Sequence, residues 1–170
     1  MKRIVNLFSG LFLALFLQSC TEKSVTNVAE YGKFLEPGIP NQNLALIEKD
    51  RQFWQSRIDN NPGDIVSISK LAGIMARRFS YSGNISDLHA SDSLYNIVHS
   101  FNRNTNSATF RALAANCITQ HRFKQAEAFI DTALALGGDK YLSILQEFDV
   151  AMELGNYPRA TQSLKNLANK

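Results

Sequence analysis

A stretch of this chain repeats itself at an offset of 34 residues. Phe123-Lys124-Gln125-Ala126 aligns with Tyr157-Pro158-Arg159-Ala160, and the same offset pairs His121 with Gly155, Ile130 with Leu164 and Ala133 with Leu167. Such a chain is confined to stacked supersecondary units, because each unit leaves an apolar face that its neighbour must cover. The apolar spacing says what the units are. From about Leu44 onward, apolar residues recur three and four apart in segments of roughly 12–16 residues, separated by Pro, Gly and Asn clusters, which is the pattern of amphipathic helices. Seven helices in antiparallel pairs are predicted. Asp64 and Asp87 stand where side chains cap helix starts, Pro62 stops the first helix, and Asn156-Tyr157-Pro158 joins a cap to a first-turn Pro. Gly137-Gly138 closes another helix in a left-handed turn.

The residue types inside the repeat resemble the tetratricopeptide repeat family over Ser107–Lys170. Phe110-x-x-Leu113-Ala114-x-x-Cys117 stands where that family has large-x-x-Leu-small-x-x-Tyr, and Ala126-x-x-x-Ile130-x-x-Ala133 where it has Ala-x-x-x-Phe-x-x-Ala. Gly138 takes the place of its closing Pro. Small residues such as Ala114, Ala126 and Ala133 let two helices approach closely, and large ones fill the gaps between them. A weaker copy lies upstream, with Ile68-x-x-Leu71-Ala72-x-x-Met75 as first helix and Ala90-x-x-x-Leu94-x-x-Ile97 as second. Its connection is longer by six residues, around a loop at Phe79–Asn84. Leu46–Ile58 reads as a solitary second helix with Trp54 in the large position, and Glu147 departs from the family's apolar residue. The resemblance implies an all-α, right-handed solenoid of antiparallel helix pairs, whose concave face is made by the first helix of each unit.

The start of the chain is of another kind. Lys2 and Arg3 precede the nearly unbroken apolar run Ile4–Leu17, the order of a secretory signal. The run is short for a membrane span, which needs roughly 20 apolar residues. Its end, Leu17-Gln18-Ser19-Cys20, resembles the lipobox of bacterial lipoproteins, with Gln18 in place of the usual Ala or Ser. That resemblance implies that Cys20 receives lipid and becomes the first mature residue. Buried acyl chains hold a protein at roughly 0.8 kcal/mol per CH₂ group. Thr21 to Asn43 is polar, with Pro37 and Pro40 flanking a Gly, and reads as a tether in which Val28–Phe34 has room for a helical turn. The predicted divisions are 1–19 signal peptide, 20–43 lipidated cysteine and tether, and 44–170 helical repeat body. Thr21, rather than Asp, after the cysteine points to the outer membrane facing the periplasm, by analogy with enteric lipoprotein sorting.

Charge adds little to the list of partners. Without Lys2 and Arg3, 16 basic residues stand against 15 acidic ones, and no Lys/Arg run follows, so a nucleic-acid role has no support. Cys117 is left single once Cys20 is lipidated, and reads as a small buried hydrophobe. His89, His99 and His121 are dispersed, with His89 and His99 roughly 15 Å apart along one helix, too far to share a metal. His121 falls in a tight turn where Gly is common. No HExxH, paired CxxC, GxSxG or Walker-type loop appears. Glu127, Asp131 and Asp139 fall on a polar face with nothing to position two of them across a cleft. The expectation is a non-enzyme without metal or cofactor.

What remains is a recognition surface. Mapped from the resemblance, the concave face holds Val66, Ser69, Gly73 and Arg77, then Arg111, Ala115 and Ile118, then Leu142, Leu145, Asp149 and Met152. The partner-binding candidates are Ser69, Arg77, Arg111, Ile118, Leu145, Asp149 and Met152. Gly73, Ala115 and Asp149 occupy points where the family's carboxylate clamp has Asn, so that mode is not expected. Two functional readings follow. One is an envelope scaffold that binds another envelope protein, in outer-membrane assembly, secretion or wall synthesis. The other is a small-ligand or glycan-binding lipoprotein, or a weak envelope hydrolase, using the 79–84 loop. Leu164, Leu167 and Ala168, with Met152 and Leu154 near by, also point to self-association at the last unit.

Overall fold

The computed structural model describes residues 26–32, 42–102 and 105–168. Residues 1–19 and Cys20 lie outside the described residues, as does most of the expected tether. The chain forms two compact units, Met1–Pro40 and Asn41–Lys170. In the first, α1 (Val28–Tyr31) is the short helical turn expected there, opened by Asn27, whose Oδ1 accepts from the Ala29 amide at 3.0 Å.

The second unit is all-α. Its helices are α2 (Gln42–Asn60), α3 (Ile65–Ser82), α4 (Ile85–Phe101), α5 (Ser107–Thr119), α6 (Phe123–Leu136), α7 (Lys140–Glu153) and α8 (Tyr157–Ala168). α2 begins two residues before the boundary expected at 44. Consecutive helices pack against one another throughout, and α5 also touches α7. Short connections make neighbours antiparallel. No helix among the described residues is long and apolar enough to cross a membrane.

The 34-residue period holds in the backbone bonds. The Arg122 amide donates to the Cys117 carbonyl and the Asn156 amide to that of Ala151, both at 2.8 Å. His121 to Ile118 (2.9 Å) matches Gly155 to Met152 (3.1 Å), and Ala126 to Arg122 matches Ala160 to Asn156, both at 3.0 Å. The turn is a Schellman closure, which needs one left-handed residue. Gly155 supplies it at φ 71°, and His121 at φ 55° with its side chain exposed, as expected of a turn position. Gly138, at φ 84°, lies against Ser107, leaving no room for a Cβ.

Close approach rests on small residues. Ala72, Ala114, Ala126 and Ala133 are wholly buried, and so are Ser67, Ser91 and Ser143. Each of these serines is hydrogen-bonded: Ser67 Oγ donates to Asp64, Ser91 Oγ accepts from Asn116, and Ser143 Oγ donates to the Asp139 carbonyl. One core gathers Ala114, Cys117, Ala126, Ile130 and Val150, with Ile118, Phe123, Phe129, Leu134 and Leu154 packed on it. Burial raises the Cys117 thiol's pKa, in keeping with the expected buried hydrophobe.

The upstream pair departs from the sequence reading in three ways. The Phe79–Asn84 segment is not a loop. α3 continues through Ser82, Gly83 closes it at φ 64°, and Asn84 caps α4 by accepting from the Ser86 amide. α3 and α4 have 18 and 17 residues against 13 and 14 in α5 and α6, so the insertion is absorbed as extra helical turns. Asp64 caps α3 as expected, but Asp87 does not cap α4. It lies buried one turn in, bonded to Arg78 and Ser82, closing the tip of the pair. The packing register of α4 is Leu88, Ser91 and Val98, one residue on from the expected one, and Ile97 is half-exposed. A buried serine takes the small position where Ala90 was expected, because its hydroxyl is bonded to Asn116.

Candidate recognition surface

α5 and α7 are the first helices of the two regular units, and one side-chain bond fixes them. Gln146 Nε2, on α7, donates to the Arg111 carbonyl of α5 at 3.1 Å. The 34-residue offset then sets Arg111 level with Leu145, Ala115 with Asp149 and Ile118 with Met152. α7 turns Ser143, Ile144, Val150 and Ala151 inward, which leaves Leu142, Leu145 and Met152 on the open side, 38–45% exposed.

Charge on this surface has no counter-charge among the described residues. Arg51, Arg57, Arg77, Arg78, Arg122 and Arg159 all reach a carboxylate. Arg111 is the one arginine among the described residues that does not. Its Nη1 has only a long 3.5 Å contact to Ser107 Oγ, and its side chain is half-buried. The other end of the Gln146 amide, Oε1, is buried without a hydrogen-bond partner among the described residues. On α7, burial raises the Asp149 carboxyl's pKa and the neighbouring Glu153 charge adds to the rise. The surface thus offers a cation level with the exposed Leu145 and, one turn further along α7, an acid without a cation among the described residues.

The structure therefore brings Arg111, Ile118, Leu145, Asp149 and Met152 together across α5 and α7, with Ile118 partly sunk against the core. Ser69 and Arg77 lie on α3, which packs on α2 and α4. Ser69 is half-buried, and Arg77 is held by Asp50 of α2 at 2.6 Å. Gly73 is covered by the Tyr95 hydroxyl, 3.3 Å from where a Cβ would stand. Gln146 and Tyr95 were missed in the sequence. The one signal for Gln146 is a long amide where the preceding unit has Ala112.

Other chemical groups are tied into the fold. His99 packs edge-on against Phe110 and His121 against Phe123, with ring centroids 4.9 and 5.5 Å apart. Asp139 caps α7, accepting from the Leu142 amide. Glu127 and Asp131 do not form the simply solvated face expected of them; both bind Arg159. No protein-family model and no curated protein matches this chain.

Proposed function

We propose that the chain is a lipid-anchored envelope scaffold with tetratricopeptide-like repeats, which holds another envelope protein against the α5–α7 face without catalysing a reaction. The lipid anchor rests on Leu17-Gln18-Ser19-Cys20 alone. The observation that carries the recognition role is Arg111. A half-buried guanidinium that reaches no carboxylate among the described residues is a cation left open to an acidic partner. A protein segment with an acidic side chain beside apolar ones gives Arg111 its carboxylate, with Leu142 and Leu145 taking the apolar part. The ligand-binding alternative relied on a 79–84 loop, and Phe79–Ser82 is helical.

The test is capture from crosslinked membranes, comparing wild type with Arg111→Glu. One stoichiometric protein partner, lost in the variant while helical content and melting temperature hold, supports the scaffold. Unchanged capture removes Arg111 from the site, and saturable binding of a small ligand in place of a protein overturns the proposal.

A further inference from the structure

The 34-residue symmetry maps a covered face onto an uncovered one. Ile118, Phe123, Ile130 and Leu134 all belong to the main core, where Val150 and Leu154 of the next unit meet them. Their equivalents one repeat on are Met152, Tyr157, Leu164 and Ala168. Ile130 is 0% exposed and Leu164 54%; Met152 and Tyr157 are 45% and 62% exposed, and Ala168 is exposed too. The same offset carries Glu127 to Thr161 and Asp131 to Lys165. Where α6 presents two acids that bind Arg159, α8 presents a threonine and a lysine. Lys165 has no ion pair among the described residues, and neither do Asp149 and Glu153 of α7.

We infer that this end face pairs with the same face of a second copy across a two-fold axis near Thr161. A two-fold contact must be self-complementary, and this patch carries both signs of charge beside its apolar residues. α7 and α8 run antiparallel about the Gly155 turn, so Glu153 lies level with Tyr157. A two-fold perpendicular to α8 at Thr161 sets Lys165 level with Tyr157 of the second copy, and hence with its Glu153. Each Lys165 then comes level with an acid that lacks a cation among the described residues, while Leu164 and Met152 lose the water that the repeat symmetry says they should not see. This inference does not rest on Arg111, which lies outside the contact, although Met152 is shared with the α5–α7 surface.

The test uses the full chain in membranes, with Thr161→Cys and a short bis-maleimide. Only a two-fold contact sets residue 161 opposite itself. A homodimer is expected at Thr161→Cys and not at Lys124→Cys, a control on the exposed side of α6. Adding Lys165→Glu, or separately Glu153→Lys, lowers the dimer about tenfold, two repulsions replacing two attractions. Co-expressing the two charge variants restores it, because both pairs in the mixed dimer are then opposite in sign. No dimer above the control, an adduct to a different protein, or a loss that mixing does not restore would overturn the inference.

Discussion

Glu147 accepts from Arg159 twice through Oε1, at 3.0 Å from Nε and 2.8 Å from Nη2, and its Oε2 accepts from Ser163 Oγ at 2.7 Å. One repeat earlier, the corresponding residues are Leu113, Gln125 and Phe129. The last unit thus has a hydrogen-bonded acid and serine where the preceding one has two apolar residues. Arg159 also binds Glu127 and Asp131 of α6, so one guanidinium ties three helices. Burial works against its charge, but the bonds from Asp131 and Glu147 outweigh it and raise its pKa.

Removing this arginine leaves three carboxylates facing one another. With its side chain 26% exposed, Arg159→Ala should cost about 2 kcal/mol, less than a fully buried pair. Urea denaturation measures it. Pairing Arg159→Gln with Glu147→Leu, two of the preceding unit's three residues at this place, should recover part of the loss.

His121 holds the left-handed turn position that Gly155 fills in the next unit. His121→Gly should therefore stabilise the domain by about 0.5–1 kcal/mol, the cost of a side chain at that φ. Gly155→Ala should destabilise it by a similar amount. Thermal melts of the two variants should move in opposite directions.

Asp149 predicts a pH dependence of definite sign. Its folded pKa is raised by burial and by Glu153, so the fold disfavours its ionised form. Its contribution to stability is greatest below the ordinary aspartate value and declines as pH rises through the interval up to the folded value. Asp149→Asn should thus gain about 0.3 kcal/mol at pH 7, a small effect because solvent screens the site. The gain should vanish below about pH 4, as measured by urea midpoints at both pH values.

Cys20→Ala should abolish incorporation of a labelled fatty acid and leave uncleaved precursor. Equal labelling of variant and wild type would contradict the lipid anchor.

Legibility followed how local each signal was. The helices, the 34-residue period and the burial of Ala114, Ala126, Ala133 and Cys117 could be read because each depends on spacing within one element. Phe79–Asn84 could not, since aromatics and serines look like a loop until Asp87 and Arg78 are seen to close the tip of a lengthened helix pair. Ser91 hid the register of α4, because a serine passes for a surface residue until Asn116 reaches it. At the candidate site, Arg111 and Arg77 look alike in the sequence. Only the fold places Asp50 beside Arg77 and, among the described residues, no acid within reach of Arg111.

The most direct measurement is photo-crosslinking in cells from a benzophenone amino acid at Leu145, against the same probe at Lys124 on α6. The scaffold reading predicts one discrete protein adduct from position 145 that disappears with Arg111→Glu. Equal adducts from both positions, or none from 145 in cells that carry the lipidated protein, would contradict it.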